Sequence, residues 1–322
     1  MVERGNAEAI EAEPRKSWRN ALALYADRRI LVILFLGFSS GLPLLLTLST
    51  LSYWLATIGV DKTTIGLFAL VGLPYTLKFV WAPVIDRVPI PVLSNLLGRR
   101  RSWVVVTQAL LMAAIVLLGL SDPAQDPGLT ALCAFILAFC SASQDIVIDA
   151  YRIEILDQDE QGAGAAAVQL GYRAGMLVAG AGALYLSVFF DWSQVFQVMA
   201  ALILPGMLAV LIGPRAPEDE VTEPETGADI STRIMAWLET AVVEPFADFM
   251  ARPAWGMILV FILLYKLSDA IGGVMANPFY VEMGFSAAEI ASVSKLFGTI
   301  APLTGVVLGG LTVARFGLLP AL

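Results

Sequence analysis

Long apolar stretches are the feature that most constrains this chain, because each is long enough to cross a lipid bilayer. A membrane helix needs about 20 mostly apolar residues. The sequence predicts eight such helices, called here the first to eighth spans, at residues 30–56, 63–85, 102–120, 128–150, 163–188, 193–213, 254–277 and 287–311. With 58% hydrophobic and only 15% charged residues, the chain is predicted to be an all-α, polytopic membrane protein.

Several functional classes are excluded by what the sequence lacks. It contains no histidine and only two cysteines, Cys133 and Cys140, so no set of metal or haem ligands is available. No nucleophile with a matching base and no phosphate-binding loop is present, which argues against an enzyme. We therefore expect no cofactor, no metal and no nucleic-acid partner.

Lysine and arginine predict the orientation, because they concentrate in cytoplasmic loops. They precede the first span and follow the even-numbered spans, at Arg15, Lys16, Arg19, Arg28, Arg29, Arg87, Arg99, Arg100, Arg101, Arg152, Arg215, Arg233, Arg252 and Arg315. The amino terminus is thus predicted to be cytoplasmic. The predicted organisation is a tail at 1–29, a six-helix bundle at 30–213, a cytoplasmic loop with an amphipathic interfacial helix at 214–253, and a partial second bundle of two helices at 254–322.

The loop after the second span carries a recognisable charge pattern. Asp86-Arg87 followed by Gly98-Arg99-Arg100-Arg101 resembles the signature of the major facilitator superfamily. Together with "FLGFSSGLPLLL", "SQDIVIDAYRIEIL" and "GAGAAAVQLGYRAGML", it resembles the AmpG-type muropeptide permeases. The resemblance implies a protein of the bacterial inner membrane that imports anhydro-muropeptides with protons, by alternating access between two helical bundles.

The same resemblance implies a role for the charged loop. It suggests an inner gate formed by Asp86, Arg87, Arg99, Arg100 and Arg152.

The number of helices differs from that of the family. Family members have twelve or more helices, whereas this sequence offers six plus the first two of a second bundle. We therefore expect a fragment, or a partner chain or homo-oligomer that supplies the missing helices. A truncated, non-transporting membrane subunit is one alternative function, and transport of another bulky anion such as acetyl-CoA is a second.

Charged residues within membrane helices are costly and are therefore functional candidates. They are Lys78, Asp145, Asp149, Arg173, Lys266, Asp269 and Lys295. Asp145, Asp149 and Arg152 share one helical face. Two neighbouring carboxylates do not both ionise easily, so they suit proton coupling, to which we also assign Asp269. The alternative is that Asp149 only pairs with Arg152 to latch the inner gate.

Six residues are predicted to bind substrate. They are Lys78, Tyr75, Gln144, Arg173, Gln169 and Lys266, whose cationic, amide and hydroxyl groups suit the carboxylates and sugars of a muropeptide. An alternative for Lys78 is a salt bridge to Asp145, and for Lys266 a self-contained pair with Asp269. Gly171, Gly175 and Ala179 are predicted to allow close helix packing.

Overall fold

The structure is a computed structural model that describes residues 26–158, 160–217, 254–298 and 300–301, together with residues 247, 250 and 251. The N-terminal tail before residue 26 and most of the predicted interfacial segment, residues 218–246, lie outside the described residues. So does the predicted end of the eighth span, residues 302–311.

The all-α prediction is confirmed, because every regular element in the described part of the chain is helical. Six helices are long and apolar enough to cross a membrane: Arg28–Thr57, Lys62–Val80, Arg99–Leu120, Pro127–Ile155, Trp192–Ile212 and Trp255–Gly273. The seventh span continues as a helix to Glu282. The described part of the eighth span comprises the helix Ala287–Glu289 and a π-helix, Ile290–Phe297.

The fifth span is helical but is not one of those six. It runs from Gln161–Leu177 through a π-helical turn, Val178–Gly182, into Ala183–Leu186. It carries Gln169 and Arg173 among many glycines and alanines, so it is less apolar than its neighbours. Such a helix belongs beside other helices rather than against lipid on all sides.

Two spans are interrupted near prolines, because proline has no amide hydrogen to donate to the helix. The first span divides at Leu48 into Arg28–Thr47, which contains Pro43, and Ser49–Thr57. The second span alternates between α and tighter 3₁₀ turns, in the order Lys62–Leu67, Phe68–Gly72, Leu73–Leu77, Lys78–Val80 and Ala82–Arg87. This irregular backbone brings Lys78 to the interior of the helix assembly.

The first and fifth spans touch backbone to backbone. A Cβ atom added to Gly41 would lie 2.0 Å from the Tyr172 carbonyl oxygen, and one added to Gly171 would lie 2.1 Å from that of Leu34. Gly175 is equally tight against the Phe38 carbonyl. The predicted packing role of Gly171 and Gly175 is therefore confirmed.

Two apolar clusters lie at different heights along the helices. One includes Leu42 on the first span and Leu137 on the fourth. The other includes Leu36 on the first span and Ile148 on the fourth. The polar layer between them contains Ser40 and the stretch Ser141 to Asp145, and there the candidate site forms.

Candidate functional site

A cavity of about 150 Å³ opens within the polar layer, between the first, second, fourth and fifth spans. It is lined by Ser40, Lys78, Asp145, Ile148, Asp149, Val168, Gln169 and Tyr172. The structure thus brings together four predicted site residues, Lys78, Asp145, Asp149 and Gln169. One cation from the second span and two carboxylates from the fourth face a single small space.

The Asp145 carboxylate accepts a hydrogen bond of 2.5 Å from the Ser40 hydroxyl on the first span. In the described part of the chain it forms no ion pair within 4.0 Å, so the alternative of a direct salt bridge with Lys78 is not realised. The ammonium of Lys78 nevertheless lines the same cavity and acts on Asp145 through its charge. Both groups therefore remain available to a ligand or a proton.

Further buried polar groups lie near Asp145. The Tyr75 hydroxyl approaches the hydroxyls of Ser141 and Thr47. Both amide atoms of Gln144 are buried and have no hydrogen-bond partner among the described residues. A buried polar group without a partner costs about 1–3 kcal/mol, so each such group calls for water or a ligand. Gln108 on the third span is a further buried amide of this kind, which sequence reasoning missed.

The Tyr75 hydroxyl and the Gln144 amide are buried near Asp145 but are not part of the cavity lining. Two other predicted site residues, Arg173 and Lys266, are exposed. Arg173 is exposed on the fifth span and is not part of the cavity lining. Lys266 is exposed on the seventh span, with its Nζ 5.8 Å from the Tyr265 ring centre. The side chain of Asp269 lies outside the described residues, so the predicted Lys266–Asp269 pair is untested.

At one end of the assembly, which we call the arginine end because Arg29 and Arg100 lie there, ion pairs join the helices. The Arg100 guanidinium contacts Asp86 at 2.7 Å and Glu154 at 2.6 Å. Arg100, at the start of the third span, therefore joins the end of the second span to the fourth. Asp86 and Arg100 were predicted for this region, whereas Glu154 was missed. The requirement of a buried arginine for a carboxylate partner was the signal that could have revealed it.

The other predicted gate residues take different positions. Arg152 donates a hydrogen bond of 3.5 Å to Gln161, and its Nε is buried without a partner in the described residues. The alternative pairing with Asp149 is therefore not formed, and Asp149 is exposed in the cavity. Arg99 is half-buried. The side chain of Arg87 lies outside the described residues.

A second ion-pair group at the arginine end was not foreseen. Arg29 contacts Glu160 at 2.6 Å and Asp157 at 3.6 Å, and also bonds Asp27. Its hydrogen bonds hold the pKa of Asp27 below the ordinary value. The start of the first span is thereby joined to the loop between the fourth and fifth spans.

Replacing Arg100 with Gln is expected to lower the free energy of unfolding by about 3 kcal/mol, because it leaves two carboxylates without their shared cation. Arg99→Gln is the matched control, since Arg99 makes no ion pair within the described residues. Denaturant titration of the purified protein in detergent measures both. Equal losses in the two variants would contradict the importance of the Arg100 pairs.

Comparison with known proteins gives a consistent picture. The family model described as Major Facilitator Superfamily matches residues 24–322. The anhydromuropeptide permease of Escherichia coli strain K12 is 41% identical over 303 residues, which cover 94% of this chain and 58% of that protein. The putative transporter AmpG 4 of Rickettsia conorii is 37% identical over 298 residues, covering 91% of this chain and 70% of the relative. This chain thus spans little more than half the length of the Escherichia coli protein.

Solved structures agree on the fold. A bacterial homologue of the human lysosomal transporter Spinster, in an inward-facing and unoccupied conformation, superposes with a TM-score of 0.55 at 16% identity and covers 94% of this chain and 64% of its own. A D-xylose–proton symporter gives 0.53 at 16% identity, with 93% and 70% covered. These relatives are transporters and not enzymes. The chain therefore belongs to the major facilitator superfamily of membrane transporters and, within it, to the AmpG-type permeases.

Proposed function

We propose that this protein imports anhydro-muropeptides across the bacterial inner membrane together with protons, by alternating access. The observation that carries the proposal is the cavity in which Lys78 faces Asp145 and Asp149 within a membrane-embedded helix assembly. Charges in such a position are costly unless they serve binding or transport. The similarity to a permease for anhydromuropeptides supplies the substrate class.

The proposed substrate contacts follow from charge and hydrogen bonding. Lys78 binds a peptide or lactyl carboxylate, and the hydroxyl of Tyr75 and the amides of Gln144 and Gln169 bind amides and sugar hydroxyls. The cavity, at about 150 Å³, is smaller than the roughly 300–1,000 Å³ of ordinary ligand sites. In the proposal the second bundle, to which Lys266 belongs, forms the rest of the substrate site. Arg173 binds the substrate at the edge of that site.

Proton coupling is assigned to Asp145, with Asp149 and Asp269 as further carriers. Asp145 is held by the Ser40 hydroxyl and not by an ion pair in the described part of the chain. A carboxylate in that situation has no direct ion pair to hold it in the charged form, so it can take up and release a proton. Binding of a substrate carboxylate by Lys78 would remove the favourable charge acting on Asp145, so substrate and proton would bind together.

Alternating access is supported by contacts between the first six spans and the seventh and eighth. At the end opposite the arginine end, Lys62 contacts Glu282 at 2.6 Å, Asn277 donates to Ser49, and Tyr185 bonds Ser292. Towards the arginine end, by contrast, the described side chains of Trp255–Gly273 on the seventh span are exposed, and Gly256 is half-buried. We infer a conformation closed at the outer side, with the arginine end and the amino terminus in the cytoplasm.

Cross-linking the seventh span to the first is expected to stop transport. Asn277 is buried and reaches both the carbonyl and the hydroxyl oxygen of Ser49, so cysteines at these two positions would lie close enough to form a disulfide. In a background with Cys133 and Cys140 replaced by serine, oxidation should abolish uptake and reduction should restore it. The control pairs Ser49→Cys with Gly273→Cys, one turn away on the seventh span.

One outcome of the cross-linking experiment would contradict the prediction. Uptake that continues at full rate after complete disulfide formation would contradict closure and opening at this contact, because the two spans could no longer separate there. The control pair should form little disulfide and transport normally. If the control also lost activity on oxidation, the effect would come from oxidation elsewhere in the chain.

Direct binding tests the substrate class. Calorimetric titration of the protein in detergent with an anhydro-muropeptide should give saturable binding, with uptake of protons from the buffer at pH 7. Titration with acetyl-CoA should give none. Binding of acetyl-CoA alone would replace the proposed substrate with another bulky anion, and binding of neither would contradict the assigned cavity.

A further inference from the structure

Three arginines at the arginine end form a group separate from the ion pairs described above. Arg28 starts the first span, Arg101 lies in the first turn of the third, and Arg215 follows the sixth. Their side chains donate to backbone carbonyls: Arg28 to Ile212, Arg101 to Leu211, and Arg215 to Leu96 at 2.6 Å. We call these residues the arginine triad. They surround the carboxyl end of the sixth span.

The triad carries positive charge that no carboxylate in the described part of the chain compensates. Arg28 and Arg215 are close enough to Arg101 for their charges to repel it. Within the described residues none of the three has a carboxylate in ion-pair distance, whereas Arg29 and Arg100 each have at least two. The carbonyls at a helix end supply only about half a negative charge. Among the described residues, three positive charges therefore face at most a partial negative charge.

Apolar side chains extend from the triad along the outside of the helices. Leu31 and Phe35 on the first span and Leu208 and Ile212 on the sixth are exposed in the structure. Leu31 and Phe35 are one helical turn apart and follow Arg28 along the same helix. The sixth span packs directly against the first, so the two apolar surfaces are neighbours.

We propose that the arginine triad binds the phosphate of an anionic phospholipid, with its acyl chains against Leu31, Phe35 and Leu208. Cationic side chains between helix ends on the cytoplasmic side of a membrane attract acidic headgroups. The adjoining exposed apolar surface favours a lipid over free phosphate, because acyl chains bury apolar surface and a phosphate ion does not. The bound lipid would join the first, third and sixth spans where the central loop begins.

The test measures lipid binding to the purified, delipidated protein by native mass spectrometry. Phosphatidylglycerol should bind, and phosphatidylcholine should not. The double variant Arg28→Gln with Arg215→Gln should weaken phosphatidylglycerol binding about thirtyfold. Each arginine near an anionic lipid headgroup strengthens binding about five- to sixfold, and the variant removes two of them. Both residues are exposed, so the protein should still fold. Arg99→Gln is the control, since it removes one positive charge on the side of the third span away from Arg101 and should leave binding unchanged.

Three outcomes would overturn the proposal. Equal phosphatidylglycerol binding by the double variant and the unmodified protein would show that the triad is not the site. Full competition by millimolar inorganic phosphate would show a site for free anions. Binding that appears only after the acidic residues of segment 218–229 are changed to their amides would show that this segment of the chain occupies the triad.

Discussion

Replacing Gly171 with Ala is expected to lower the free energy of unfolding by about 3 kcal/mol, although it adds a single methyl group. The new Cβ would lie 2.1 Å from the Leu34 carbonyl oxygen and 2.8 Å from the Phe38 amide nitrogen. Both are backbone atoms of the first span, so no side chain can turn away. The first and fifth spans would have to separate, which would also widen the cavity between Ser40 and Tyr172 and reduce transport.

The control for this change lies on the same helix. A Cβ added to Gly162 meets nothing within 4 Å, so Gly162→Ala should be neutral or slightly stabilising, as expected for alanine in a helix. Unfolding by SDS in mixed micelles, followed by circular dichroism, measures both variants. Equal stability of the two would contradict the close packing of the first and fifth spans.

Replacing Asp145 with Asn is expected to reduce gradient-driven uptake to the level of vesicles that lack the protein. Asparagine has the same shape and can still accept the hydrogen bond from Ser40, but it cannot take up or release a proton. Exchange of labelled for unlabelled substrate across the membrane should continue, because exchange needs no net movement of protons. Loss of accumulation with retained exchange is the specific result of uncoupling.

Two further variants define the role of Asp145. Asp145→Glu keeps an ionisable group and should restore part of the accumulation. Ser40→Ala removes the hydroxyl that holds Asp145 and should shift the pH dependence of uptake without abolishing it. Accumulation by the Asn variant equal to that of the unmodified protein would exclude Asp145 as the proton carrier.

Much of the fold could be predicted from the sequence, because membrane spans depend on local composition. Runs of apolar residues predicted the positions of the helices but not the 3₁₀ turns of the second span, whose α-helical segments Leu73–Leu77 and Ala82–Arg87 begin near Pro74 and Pro83. The fifth span was harder, since its glycines and alanines lower its apolar character. Their spacing still predicted close helix packing, and the contact of Gly171 with Leu34 shows that the partner is the first span.

Within the site, the relative positions of side chains could be predicted only for residues on the same helix. Asp145 and Asp149 share a helical face, and helical spacing is enough to predict that. Partners from other helices were not predictable in this way: Arg100 contacts Glu154 at a separation of 54 residues, and Arg152 turns to Gln161 instead of Asp149. Which arginine reaches which carboxylate depends on how the spans pack, and a single sequence does not contain that information in local form.

The most direct test of the proposed function is uptake of radiolabelled anhydro-muropeptide into membrane vesicles that hold the protein in its cellular orientation. We expect accumulation against a concentration gradient when the outside is made acidic, and loss of that accumulation when a protonophore removes the gradient. Unlabelled anhydro-muropeptide should compete, and acetyl-CoA should not. Absence of uptake by correctly inserted protein, or uptake indifferent to the proton gradient, would contradict proton-coupled import.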